Sequence, residues 1–362
     1  MSDYKIPKLP LDRDLESKEV LKKVAAARSA LAEVKGAATS IPNEGILIDT
    51  LSLQEAKDSS AIENIITTHD ELYQSDALAK SFKSVASKEV YAYASALKAG
   101  HVEVVNRGFL TSNQIIDIQA ILEENDAGFR KLPGTDLRNE QTGEVVYTPP
   151  QTNEEIVELM NNLEQFMNDA SLSDLDPLVK RAIIHHQFES IHPFYDGNGR
   201  TGRIVNILYL VKEGLLQIPI LYLSRYINRN KAEYYRLLQA VRTTDEWEAF
   251  ILYMLTAVEE TSHLTIEQIV GIKTLMQNFK VKMRSDLPKI YSQDRLNNIF
   301  RHPYTKIDFV MKDLGVSRPT ATRYLDELIA IGLLEKHKLG KENFYINKRL
   351  FNLLANNQGG RG

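Results

Sequence analysis

The chain has 362 residues, enough for about two domains at roughly 150 residues each. Lys+Arg number 44 against 48 Asp+Glu, and 43% of residues are hydrophobic, which suits a packed core and excludes a disordered chain. There is no cysteine, so disulfide frameworks, thiolate zinc sites and cysteine nucleophiles are excluded, and a reducing, cytoplasmic setting fits.

The first residues, with Asp3, Lys5 and Lys8 around Pro7, form no apolar signal core. Helical spacing begins at 17–35, where Leu21, Val24, Ala25, Leu31 and Val34 recur near 3.6. Residues 36–49 are looser, with Gly36, Pro42 and Gly45, and helical spacing returns at 51–66. Further helices are expected near 84–106, 112–125, 152–169, 177–190, 198–213, 229–241, 244–260 and 263–285. The longest apolar run, Leu215 to Leu223, is broken by Gln217 and Pro219 and falls short of the roughly 18 residues of a membrane span. One interruption reads as extended. In 131–150, Asn139 and Gly143 flank a polar tip, Val145, Val146 and Tyr147 favour a strand, and Pro149 and Pro150 end it, which predicts a β-hairpin.

The tail differs. Residues 301–362 carry 11 Lys+Arg against 6 Asp+Glu, while the rest carries 33 against 42, so an acidic body precedes a basic tail. Thr305–Lys312 reads as a short helix and Leu314-Gly315-Val316 as a turn. Ser317 is an N-cap candidate for a helix over 318–331, which Gly332 closes. Leu333-Leu334 and Asn343–Ile346 read as two strands around a Lys338–Lys341 tip, the order of a winged helix-turn-helix.

Chemistry concentrates in 192–203, His-Pro-Phe-Tyr-Asp-Gly-Asn-Gly-Arg-Thr-Gly-Arg. Pro193 biases His192 away from helical geometry, so a helix ends there. Gly197 and Gly199 permit a tight path into the next helix, whose free N–H groups and positive dipole end suit phosphate. Arg200 and Arg203, three apart, are expected on one face of the first turn, where they could clamp neighbouring phosphates. Asp196 is placed to hold Mg²⁺ bridging them, and His192 is the neutral base in reach. A lone Gly-x-Gly is an ordinary turn, but seven polar or glycine positions agree here. No Walker P-loop occurs at this site, and His185, His186 and His192 lack the H-E-x-x-H zinc spacing. His185 and His186 read as packed rings, and Trp247 as core or interface packing.

The segment resembles the Fic family, whose signature H-x-F-x-[DE]-G-N-G-R-x-x-R is met from His192 through Arg203 at every defined position. The preceding helix, the hairpin ending Tyr147-Thr148-Pro149-Pro150 and the pair Tyr234-Tyr235 resemble it too, over about residues 40–290. The resemblance implies an all-α Fic-type helical bundle with a β-hairpin flap, followed by a winged helix-turn-helix domain. It divides the chain into an N-terminal helical extension (1–45), a catalytic domain (46–290) and a winged domain (291–362).

It also implies AMP transfer from ATP to a Tyr, Thr or Ser hydroxyl of a protein, with pyrophosphate leaving. His192 would take the proton and Asp196 would hold Mg²⁺. The Gly197–Gly199 turn with Asn198 would cradle the α-phosphate, Arg200 and Arg203 would bind the phosphates behind it, and Thr201 and Gly202 would complete the nucleotide turn. Adenine contacts would come from around 228–235, with Asn230, Tyr234 and Tyr235 as candidates. The 131–150 flap, through Thr135, Val145, Val146 and Tyr147, would align the target by strand addition. Ser59-Ser60-Ala61-Ile62-Glu63-Asn64 resembles the family's inhibitory motif [ST]-x-x-x-E-[GN], so Glu63 would compete for Arg203.

In the tail, Arg318, Thr320, Thr322 and Arg323 would be base- or phosphate-reading positions, with Lys336, Lys338 and Lys341 on the wing, if the module binds DNA. Winged helices also dock proteins, and both readings stay open. An alternative function is an ATP-sensing DNA-binding regulator, and another NTP donor on the same scaffold is a third. Relatives of this class often form homodimers and modify themselves.

Overall fold

The computed structural model describes residues 4–77, 82, 84–139, 142–339 and 342–356. Lys341 and the expected hairpin tips at 140–141 and 340–341 lie outside them. Among the described residues the chain is almost wholly helical, with two small antiparallel sheets.

Helix α1 (Lys18–Ala38), capped by Ser17, lies along the long helix α11 (Trp247–Asp286). Helix α2 (Glu44–Ile62) starts earlier than expected because the Asn43 side chain accepts from the Gly45 amide. It also ends earlier, so Glu63 is its C-cap rather than an interior residue, and Ile66 lies outside the helix. A short α3 (His69–Ala77) was not expected. Helices α4 (Val85–Arg107) and α5 (Ser112–Glu123) each begin with a reciprocal capping box, at Ser84/Ser87 and Thr111/Gln114.

The expected hairpin follows, reduced to β1 (Leu137–Arg138) paired with β2 (Val145–Tyr147). Helix α6 (Asn153–Asn168) leads to α7 (Pro177–Ile191) and α8 (Asn198–Lys212). Helix α8 is the hub: Ile204, Ile207, Leu208 and Leu210 are fully buried, and α2, α4, α5 and α7 pack around it. Each such side chain contributes about 1.5–3 kcal/mol on burial. A central helix walled on all sides holds its N-terminal turn in a fixed place.

The single helix expected over 229–241 is two, α9 (Ser224–Arg229) and α10 (Lys231–Thr244), parted at Asn230. The two expected over 244–260 and 263–285 are one, α11 (Trp247–Asp286). Polar residues do not break it, because the Thr261 and Thr265 hydroxyls donate to carbonyls one turn back, Ala257 and Thr261.

Beyond α11 come α12 (Gln293–Arg301), β3 (Tyr304–Thr305), α13 (Ile307–Leu314), α14 (Arg318–Ala330), β4 (Glu335–Leu339), β5 (Glu342–Ile346) and α15 (Lys348–Asn356). The sheet order is β3-β5-β4. Helix, turn, helix and hairpin occur in the expected order. Leu333 and Leu334 are buried ahead of β4 rather than forming the strand, and Thr305 belongs to β3 rather than to α13. Ser317 precedes α14 without a cap bond, its hydroxyl meeting Thr320 instead. This unit docks against α2 and α3 of the body. Arg301 pairs with Asp49 of α2, which Lys98 also holds at 2.6 Å, and Tyr304 donates to Asp70.

Candidate active site

The α7–α8 connection is built to expose backbone. His192 caps α7 with φ 49°, ψ 59°, a left-handed conformation that ends the helix as Pro193 requires. The buried Arg130, missed in the sequence, holds this turn: its Nε donates to the His192 carbonyl at 2.8 Å and its Nη2 to the Pro150 carbonyl. Arg130 therefore ties the motif loop to the end of the flap. Tyr195 adds a second tie, its hydroxyl accepting from the Lys131 and Leu132 amides at 2.9 and 3.1 Å.

Asn198 closes the loop on itself. Its side chain accepts from the Phe194 amide and donates to the Phe194 carbonyl, both at 2.8 Å. Its side chain is therefore spent on the loop, so any phosphate contact there falls to backbone amides. Gly197 is the N-cap at φ 76°, and no side chain caps α8. The first-turn N–H groups lack intrahelical acceptors and carry the positive dipole end.

The two arginines diverge. Arg200 is held between Glu89 of α4 at 2.9 Å and Glu123 of α5 at 2.8 Å. Arg200 and Arg203 therefore meet different partners, Arg200 the carboxylates of α4 and α5 and Arg203 the end of α2. Arg203 is buried under α2: Nε donates to the Ser59 hydroxyl at 2.8 Å, and Nη2 to the Ser59 carbonyl at 3.1 Å and to Glu63 at 2.8 Å. A Cβ on Gly199 would meet the Glu63 carboxylate at 2.5 Å and Arg203 at 3.0 Å. Glu63 thus occupies the space directly over the α8 start. Gly202 has a packing reason, since a Cβ there would lie 2.7 Å from Glu189 and 2.9 Å from the Phe188 ring. Thr201 is fully buried and its amide donates to the Gly197 carbonyl, so Thr201 and Gly202 face the core.

Charge follows this geometry. Burial alone would raise the Glu63 carboxyl, but Arg203 outweighs it and holds the group below the usual range. Glu189, buried beside Arg203, is pushed up to about 7 by burial, with Arg203 opposing. Burial, then Arg130 and Arg242, push His192 down to about 4. The ring is therefore neutral at ordinary pH, and its buried Nδ1 has no hydrogen-bond partner. Asp196 is exposed beside the turn, with its backbone carbonyl taken by Gln119 at 3.3 Å. Among the described residues no group of three or more carboxylates and imidazoles gathers to hold a metal. A single carboxylate such as Asp196 suffices for Mg²⁺ only where ligand oxygens and waters complete its shell.

Other predicted residues scatter. Tyr234 points inward, its hydroxyl 2.8 Å from His185, while Tyr235 is 44% exposed. The Asn230 side chain donates to the Tyr226 carbonyl. His186 meets the Leu238 carbonyl and packs on the buried Trp247, so both helix histidines are packed rings, held neutral chiefly by burial. In the flap, Tyr147 is buried with its hydroxyl on the Ser190 carbonyl, Val146 is 44% exposed, Val145 is half-buried, and the Thr135 carbonyl accepts from Gln151. Arg318, Thr320, Thr322 and Arg323 lie on α14, remote in sequence from the site, with Arg318 on Asp308 at 2.9 Å. Lys336 of β4 lies 3.9 Å from Asp326, and Lys338 is exposed.

The fold and site define an all-α protein whose central helix opens on an uncapped glycine-rich turn beside a neutral histidine. Residues 21–102 match the Fic/DOC family N-terminal domain, 109–210 the Fic/DOC family and 275–350 the C-terminal domain described as protein adenylyltransferase SoFic-like. The chain belongs to the Fic/DOC family. It is 30% identical over 132 residues, 36% of its length, to protein adenylyltransferase fic-1 of Caenorhabditis elegans and to a probable protein adenylyltransferase of Aquifex aeolicus. These matches span only 23% and 37% of the two relatives' own lengths. A crystal structure of a Fic family protein from Desulfovibrio desulfuricans aligns with TM-score 0.56 at 19% identity, covering 91% of this chain and 96% of that one. A C. elegans Fic-1 fragment aligns with TM-score 0.54 at 20% identity, covering 68% and 72%. Among the described residues no helix is long and apolar enough to cross a membrane.

Proposed function

We propose that the chain is an autoinhibited protein adenylyltransferase, moving AMP from ATP to a hydroxyl side chain of a protein target, itself included. The observation that carries this is the juxtaposition of a neutral His192 with the uncapped start of α8. The target oxygen attacks the α-phosphorus, the new O–P bond forms, the bond to the bridging oxygen breaks and pyrophosphate leaves. His192 takes the hydroxyl proton as general base. The α8 amides hold the α-phosphate, with Asn198 keeping their loop in shape, and Arg203 holds the far phosphate once free of Glu63. Arg200, pinned by Glu89 and Glu123, adds fixed positive charge at the turn. Mg²⁺ held by Asp196 would neutralise phosphate charge. The flap edge at Thr135 and Val145 aligns the target strand, while Tyr147 anchors its base. Tyr235 is the exposed ring near which the base would lie.

Glu63 over Gly199 and on Arg203 supports the brake: a far phosphate and this carboxylate need the same guanidinium and the same space. Residues 1–45 would extend the 46–290 catalytic domain, and 291–362 would form a winged helix-turn-helix that selects a protein or DNA partner. The pairing of Arg318 with Asp308 and of Lys336 with Asp326 tempers a DNA role. A cytoplasmic homodimer is the assembly we propose.

The test is incubation with each NTP and Mg²⁺, followed by intact mass. An AMP adduct from ATP that is lost in His192→Ala is expected, and an undiminished adduct in that variant would overturn the reading. Because protonation removes the base as pH falls through about 4, incorporation should hold from pH 8 to about 5 and then fall.

A further inference from the structure

A second polar cleft lies behind α2, on the side away from Arg203. Its volume is about 230 Å³, and its lining includes Lys57 and Asp58 of α2, Thr67 beyond it, and Arg225, Asn228 and Arg229 of α9. Among the described lining residues, Lys57 and Arg225 share the cleft with one carboxylate, Asp58. Arg225 is only 5% exposed, stands 6.0 Å over the Tyr222 ring, and has no hydrogen-bond partner at Nη2. Burial holds Lys57 and Arg225 below their usual ranges, and Asp58 does not make up the difference. A buried guanidinium with an open donor is costly unless an acceptor meets it.

We infer that this cleft is a binding site for a small phosphate anion, inorganic phosphate or pyrophosphate, held by Lys57 and Arg225. The volume is below the roughly 300 Å³ at which pockets for larger ligands begin, which favours a small oxyanion over a nucleotide. The Thr67 hydroxyl donates its hydrogen bond to Glu71, so among the described lining side chains Asn228 is the neutral donor for the anion. The site needs two elements at once. Lys57 comes from the helix that carries Ser59 and ends at Glu63, and Arg225 comes from α9, so the anion binds only while α2 is docked. It therefore stabilises the docked form by mass action. In consequence phosphate strengthens the brake. That consequence rests on the autoinhibition proposed above, whereas the binding does not.

The test is calorimetric titration of the full chain, free of divalent cations, with inorganic phosphate and separately with pyrophosphate. Wild type should bind at least one of them, and the tighter arm names the source. Lys57→Gln and Arg225→Gln should each weaken binding about tenfold or more. The partly exposed Lys57 decides the matter if Arg225→Gln does not fold. No binding in the millimolar range, or binding that Lys57→Gln leaves unchanged, overturns the site. A further arm measures AMP incorporation: phosphate should slow it in wild type and not in Lys57→Gln. Binding as expected without slowing would refute the link to the brake and leave the site standing.

Discussion

Helices α8 and α14 each carry a pair of arginines, and the pairs behave differently. At α8 the Arg200 and Arg203 side chains are 7% and 2% exposed, and each is locked to carboxylates from other helices. At α14 the Arg318 and Arg323 side chains are 62% and 63% exposed, with Asp308 at 2.9 Å and Glu327 at 3.9 Å. Buried pairs fix geometry and are expensive to break from one side, whereas exposed pairs are screened and contribute little. The difference separates an arginine pair held rigidly inside the fold from one left on a solvated surface.

The largest test of that contrast is Arg203→Ala. It strands Ser59 and Glu63 and should cost about 3 kcal/mol of unfolding free energy, the low end for a broken buried pair because Glu63 keeps some exposure. Chemical denaturation reads this, and a cost below about 1 kcal/mol would place Arg203 with the surface pairs. Gly202→Ala comes next. Crowding against Phe188 and Glu189 costs about 2 kcal/mol, helix propensity returns about 1, and a net loss near 1 kcal/mol is expected. The smallest effect belongs to Arg318→Ala with Arg323→Ala, within about 0.5 kcal/mol on stability. If α14 reads DNA, the same double variant lowers low-salt affinity for duplex and flattens its salt dependence; wild-type protein that shifts no duplex at low salt ends that reading.

Much of the site was legible because its signals are local. Pro193 after His192, Gly197 ahead of α8 and the Ser59–Glu63 spacing each act within a few residues, and the structure has the expected turn, helix start and Glu63–Arg203 contact. What escaped was set by distant partners. Arg200 meets carboxylates 111 and 77 positions away, and nothing in its spacing from Arg203 announces them. Arg130 follows Gly128 and Phe129 just before the flap, but its bond to the His192 carbonyl appears only when 62 residues fold back. Helix ends failed for a related reason. Hydroxyls of Thr261 and Thr265 satisfied within α11 look, in sequence, like a break.

The central claim is that one carboxylate restrains a competent nucleotide site. Its most direct measurement is AMP incorporation from labelled ATP with Mg²⁺, comparing wild type with Glu63→Gly and confirming the adduct by intact mass. Removing the carboxylate frees Arg203 and the space over Gly199, so the variant should incorporate about tenfold more AMP or better, the scale of one charge-assisted contact. Equal incorporation by the two proteins would contradict the account.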